Sequence, residues 1–167
     1  AVLASSYPRF SGDGAAPFVK SISEHLSSQG HAVEVVAPYD PAIVSSGTNS
    51  QSRVHVHRFR YILPARLHIM GHARAMESDV HLRPLTLFLL PLFLLSAFIT
   101  LWKVTVRQKS QVIHAHWVLP NGPVAAWVAR LRKIPFVISL HGSDIFIARR
   151  NRLFGAVAGW VFRRAAV

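Results

Sequence analysis

Short apolar runs rich in β-branched residues alternate with helix-length amphipathic segments along most of the chain, and this alternation limits the fold more than any other feature. A strand that is apolar on both faces needs cover on both, and a helix long enough to cross over it supplies that cover. The expected class is therefore α/β, an open parallel sheet with helices on both faces. Val2 to Ser5 reads as the first strand, Gly12-Asp13-Gly14 as a turn, and Pro17 to Gln29 as a helix with Phe18, Ile22 and Leu26 at fourfold spacing. Gly30 ends that helix and Ala32 to Ala37 is the second strand, completing a right-handed βαβ unit.

Asp40 to Ser52, rich in Ser, Gly, Pro and Asn, reads as a loop. Arg53 to Phe59 alternates basic and apolar residues, which predicts a strand placed off-centre in the sheet. Gln111 to Ala115 and Pro135 to Leu140 are two further buried strands, separated by a helix ending near Arg132. Ligands bind beyond the carboxyl ends of parallel strands, so Ser5 to Gly14, His114 to Gly122 and His141 to Asp144 should converge on one crevice. Leu63 to Arg83, which holds Arg66, His68, His72, Arg74, Glu77, Asp79, His81 and Arg83 with little periodicity, is left as a candidate mobile acceptor loop. With 167 residues and 51% apolar content the chain suits one globular domain, and the abrupt character of both ends is read as truncation.

The run Leu85 to Trp102 has no charge and reaches the minimum of about 17 residues for a membrane span. Three readings stay open: a span, a buried crossover helix, and a helix packed on the sheet while presenting Phe, Leu and Trp to a membrane interface. Pro91 and the position between strands of one sheet weigh against a span. Arg83, Lys103, Arg107 and Lys109 flank the run and favour the interfacial reading. The chain carries 19 Lys and Arg against 7 Asp and Glu, a formal charge of +12 that favours anionic partners. Nucleic acid is not expected, because most aromatics lie in apolar runs rather than interleaved on a basic face. With no cysteine, thiol chemistry and thiolate metal sites are excluded.

Ser5 to Gly14 lies between a strand and a helix N-terminus, either as a tight connection or as a place where backbone N–H groups approach an anion. His114 and His116 alternate and would share one face of a strand. No carboxylate or third His completes a coordination set at a convincing spacing, so no metal is expected. Asp144 either caps the segment that follows it or helps to orient His141.

Together these segments resemble the N-terminal domain of family 4 glycosyltransferases over nearly the whole chain. The resemblance rests on the glycine-bearing first loop, the helix ending in Gly30-His31 before Ala32 to Val35, His114-Ala115-His116-Trp117 with Pro120, Asn121 and Gly122, and Ile138 to Asp144. It implies a Rossmann-like domain forming one half of a GT-B fold, and a metal-independent enzyme that transfers a sugar from a UDP- or GDP-linked donor with retention. Such an enzyme needs no cofactor beyond its nucleotide-sugar substrate. Gly12 and Gly14 would approach the donor diphosphate and His141 would act beside the transferred sugar. Asp13, His116, Asn121, Gly142 and Asp144 would lie near donor or acceptor. The resemblance places this chain on the acceptor side and the donor domain outside it, so the chain alone is expected to be inactive. The apolar run with its basic margin implies a lipid-linked or membrane-proximal acceptor and a peripheral location at the inner face of the cytoplasmic membrane. The alternative is a non-enzymatic basic module that binds anions or nucleic acid, or a protein anchored through Leu85 to Trp102.

Overall fold

In the computed structural model, residues 1–44, 54–71, 76–78, 81–82 and 84–166 are described. Five parallel strands form the main sheet: β1 (Val2–Leu3), β2 (Val33–Pro38), β3 (Val54–Phe59), and further along the chain Ile113–His116 and Phe136–Ser139. A two-stranded antiparallel ribbon of β4 (Met76–Ser78) and β5 (His81–Leu82) lies apart from it, so the later main-sheet strands are β6 and β7. The spatial order is β3-β2-β1-β6-β7. The chain winds outward from β1 in one direction and then returns to wind in the other. The direction reverses between β1 and β6, which makes that pair the topological switch point.

Alternation along the strands divides the core in two. Val2, Ala4, Val33, Val35 and Ala37 face one side and pack with Val19 of α1 (Pro17–Ser28). Leu3, Val36, Ile113, Ala115 and Phe136 face the other, against α2 (Pro84–Arg107), α3 (Asn121–Arg132) and α5 (Arg152–Phe162). Helices therefore cover both faces, as the sequence predicts, and β3 is an edge strand. The arrangement is α/β, with the architecture of a Rossmann-like half of a GT-B fold.

The buried face of α1 differs from the expected one. Val19 and Ser23 are fully buried, whereas Phe18 and Ile22 are exposed and Leu26 is half-buried. Ser23 satisfies its hydroxyl on the Val19 carbonyl at 2.8 Å, which lets a polar residue occupy the core stripe. Phe18 turns towards the loops at the carboxyl end of the sheet.

The long apolar run forms α2, the crossover from the β3 side to β6. Leu89, Phe93, Ala97, Leu101 and Val104 recur at helical spacing and are buried on the sheet, with Phe93 edge-on to Phe59 and Tyr61. Truncating a buried ring of this kind costs about 3–5 kcal/mol. The opposite stripe, Phe88, Leu92, Leu95 and Ile99, is apolar and exposed. α2 is long and apolar enough to cross a membrane, yet its inner stripe belongs to the domain core. Pro91, which the sequence sets against a span, sits on the exposed side of a continuous helix.

Residues 63–71 of the unplaced stretch are held in place. Ala65–Leu67 makes one turn of 3-10 helix, and His68 is buried between the rings of Tyr39 and Tyr61. Gly71 lies so close to the Ser5 carbonyl that a Cβ there would stand 2.5 Å from it. His72, Arg74, Asp79 and Arg83 fall outside the described residues, as do residues 45–53 and with them most of the predicted Asp40 to Ser52 loop and Arg53.

Candidate active site

The three predicted loops meet at the carboxyl ends of β1, β6 and β7. Asn121, the first residue of α3, is buried and ties two of them together: its Nδ2 donates to Ser5 Oγ at 2.8 Å and to the His116 carbonyl at 2.7 Å. This strut spans the switch point, because Ser5 follows β1 and His116 ends β6. Asp144 ties the third loop. Its Oδ2 accepts from the Val118 amide at 2.7 Å, and its Oδ1 accepts from the amides of His141 at 3.2 Å and Ile145 at 3.1 Å.

Asp144 thus does part of what each sequence reading offers. It receives an amide in the first turn of α4 (Ser143–Arg150), and it fixes the backbone of His141 rather than its ring. The ring is held by another histidine: His116 Nδ1 and His141 Nε2 are 3.1 Å apart. Gly142 has φ +87°, a left-handed conformation that turns the chain from β7 into α4 and that other residues adopt only with strain.

His114 and His116 share a face of β6, as their alternation predicts, with ring centroids 4.3 Å apart. The stack continues to the His141 ring at 5.3 Å from that of His116. His114 is anchored by Ser139 Oγ at 2.8 Å across the β6–β7 pair. Burial drives the pKa of all three imidazoles below the usual histidine range, and His116, fully buried with His114 and His141 beside it, is pushed down to about 3. The stack is therefore neutral near pH 7 and can both donate and accept hydrogen bonds.

The first loop approaches the same place from the α1 side. Phe18, in the first turn of α1, lies 4.6 Å from the His141 ring and 5.8 Å from that of Trp117, measured between centroids. Gly12 has φ +83°, and a Cβ on either Gly12 or Gly14 would meet only open space, so the backbone there is accessible to a ligand. Asp13 points inward. Its carboxylate accepts from Arg9 Nε at 2.7 Å and Nη2 at 2.9 Å, as well as from the amides of Arg9 and Ala15. The Arg9 guanidinium holds the Asp13 carboxyl far below the usual carboxylate range. A bidentate pair of this kind cancels the charge that would otherwise repel an anion at the glycine loop.

Sequence reading placed Ser5, His114 and Trp117 in the converging segments without giving them a role, and missed Phe18 and Ser139 as members of the site. Ser5 and Trp117 stand at the carboxyl ends of β1 and β6, where residues bordering a crevice are expected. A cavity of about 500 Å³ opens beside the site, with Ser5, Phe18, Trp117 and Asp144 on its wall. Met70 and Gly71 border it too, which brings part of the unplaced stretch to the site.

A family model described as the glycosyl transferase 4-like domain matches residues 13–167. The chain is also 43% identical over 44 residues to the "Putative teichuronic acid biosynthesis glycosyltransferase TuaC" of Bacillus subtilis (strain 168). That stretch is 25% of this chain and 11% of the relative's length. With the family model covering most of the chain and the fold agreeing with it, the protein belongs to the glycosyl transferase 4-like family.

Proposed function

We propose that the chain is the acceptor-side half of a two-domain GT-B enzyme, which transfers a sugar from a UDP- or GDP-linked donor to an acceptor with retention of configuration. The observation that carries this reading is the packing of Phe18, in the first turn of the helix that follows the glycine loop, against His141 of the neutral His116–His141 pair. In this reading the donor diphosphate lies against the Gly12 and Gly14 backbone, and a second Rossmann-like domain outside residues 1–167 holds the nucleotide. The proposal is supported by the open space over both glycines and by Arg9, which takes up the Asp13 charge.

His141 lies beside the transferred sugar and is the catalytic residue of this half. As the bond to the diphosphate breaks, positive charge grows on the sugar ring and negative charge on the departing diphosphate oxygen. A neutral imidazole in a fixed orientation, with one nitrogen occupied by His116, donates its remaining N–H to such an oxygen more strongly in the transition state than in the ground state. His116 positions His141. Asp144 and Gly142 set its backbone, and Asn121 holds the two halves of the sheet in register. No metal or cofactor enters the proposed transfer.

The acceptor is lipid-linked or membrane-proximal and the enzyme sits peripherally on the inner face of the cytoplasmic membrane. Support comes from the exposed apolar stripe of α2 and the cations Lys103, Arg107 and Lys109 at its end. Apolar side chains beside basic ones suit the interface of an anionic bilayer. The test is to express the full-length coding sequence and measure release of UDP or GDP from a panel of nucleotide sugars, with membrane lipid extract as acceptor and a chelator present. Lipid-dependent release is the expected result, and its abolition by His141→Ala without loss of folding supports the assignment of that residue. Absence of release from every donor would remove the enzymatic reading.

A further inference from the structure

The cavity beside the site has a composition that sugar transfer does not call for. Two of its walls are hydrocarbon: Leu87 and Leu90 from α2 face Leu153 and Val157 from α5. Sugars are bound by polar groups, and a pocket of this size with apolar walls and few polar atoms suits a hydrocarbon chain. Its mouth is exposed and apolar, since Leu87 is 52% and Leu153 68% accessible. Phe88, next to Leu87, is 76% accessible and leads onto the outward stripe of α2. At the other end Ser5 and Trp117 border both the cavity and the polar site. The cavity thus runs from the apolar surface to the place where the loops converge.

The α4–α5 hairpin adds charge. Arg149, Arg150 and Arg152 are exposed around the turn that leads into Leu153, and Phe146 is exposed on α4. Among the described residues of the hairpin, Asp144 is the single acidic one, and its carboxylate is buried on backbone amides. Three guanidinium groups with no exposed acidic neighbour on the hairpin complement a phosphate.

Resting on the membrane-proximal reading above, we propose that the cavity between α2 and α5 binds the hydrocarbon chain of a phosphate-bearing lipid acceptor, with Arg149, Arg150 and Arg152 facing its headgroup. The chain enters between Leu87 and Leu153, and its phosphate stays at the mouth beside the guanidinium groups of the hairpin. Exposed apolar residues at the mouth allow the lipid to pass from the bilayer without crossing water.

The experiment is a calorimetric titration of the full-length protein with dodecyl phosphate below its micelle concentration, with dodecanol and inorganic phosphate as controls. Dodecyl phosphate is expected to bind at least tenfold more tightly than either control. The double variant Leu87→Glu/Leu153→Glu, at two side chains more than half exposed, should weaken it tenfold or more with an unchanged circular dichroism spectrum. Arg149→Gln/Arg152→Gln should weaken dodecyl phosphate and leave dodecanol unchanged. Unaltered affinity in the leucine variant, or equal binding of dodecanol and dodecyl phosphate, would overturn the proposal. Its failure is separable from that of the transferase reading. Donor turnover with no dodecyl phosphate binding removes the pocket alone, whereas lipid binding with no turnover of any donor leaves the pocket and removes the transferase.

Discussion

His116 Nδ1 and His141 Nε2 stand 3.1 Å apart, and this contact fixes which nitrogen of each ring carries hydrogen. One ring must donate. His116 Nε2 is buried and has no hydrogen-bond partner among the described residues. A buried N–H left without a partner costs more than a bare lone pair, so the proton of His116 belongs on Nδ1, donating to His141. His141 Nε2 is then the acceptor and its Nδ1 carries the proton. His116→Asn can place its amide donor near the same point, whereas His116→Leu removes it. In the full-length enzyme His116→Leu is expected to lower kcat about 10–100-fold, the range expected when a group that orients a catalytic residue is lost. His116→Asn should recover part of that loss. Nitrogen NMR shifts of the His141 ring would report the tautomer directly, and identical shifts in wild type and His116→Leu would remove the positioning role.

The same stack predicts how stability depends on acid. The folded-state pKa of His116 lies near 3, below the roughly 6.5 of an unfolded histidine. Below pH 6.5 the unfolded chain therefore binds a proton that the folded one refuses, and stability falls as pH falls. His116 alone contributes a loss of about 1.4 kcal/mol at pH 5.5, and His114 and His141 act in the same direction. The Asp13 carboxyl, shifted downward, adds its loss only at lower pH, below the ordinary carboxylate range. Denaturant midpoints should begin to drop near pH 6.5, and His116→Asn should flatten that early slope. A midpoint constant from pH 7.5 to 5 would contradict the burial of the stack.

Much of this was open to sequence reading for one reason: strands β1 and β2 are buried on both faces, β6 almost so and β7 in part, so they stand out in the sequence without tertiary knowledge. The crevice at their carboxyl ends followed from their parallel arrangement. The stripe Phe18, Ile22, Leu26 misled because periodicity records spacing and not direction, and here Val19 and Ser23 face the core while Phe18 faces the site. The hairpin of α4 and α5 was not foreseen, since Arg149, Arg150 and Arg152 interrupt any apolar stripe at the turn. Contacts such as Asp144 with the Val118 amide, 26 residues apart, depend on the packed fold and leave no local signature.

Arg9 and Asp13 form a close, largely buried pair, 2.7 Å between Nε and Oδ2, with Asp40 3.7 Å from the same guanidinium. Asp13→Asn removes the charge while keeping much of the shape. It is expected to destabilise the domain by about 2 kcal/mol, the scale of hydrogen bonds to charged groups. In the double variant with Arg9→Gln the cost should be less than the sum, because each partner leaves the other's charge uncompensated. Additive costs in a double-mutant cycle would show that the two side chains do not act as a pair.

Asn121 offers a substitution whose sign can be argued. Its Nδ2 donates to two oxygens, Ser5 Oγ and the His116 carbonyl, in a buried place. Asn121→Ala deletes both bonds and leaves two acceptors, at a cost of about 1–3 kcal/mol. Asn121→Asp is nearly the same size yet places a carboxylate oxygen against the His116 carbonyl, and burial penalises its charge. The aspartate variant is therefore expected to be less stable than the alanine variant at pH 7. Its deficit should shrink as the pH is lowered to about 5, since a buried carboxylate is protonated more readily and its OH donates to one of the two oxygens. Chemical denaturation of both variants at the two pH values measures the difference. If Asn121→Asp matched or exceeded the stability of Asn121→Ala at pH 7, the strut across the switch point would have to be assigned to other contacts.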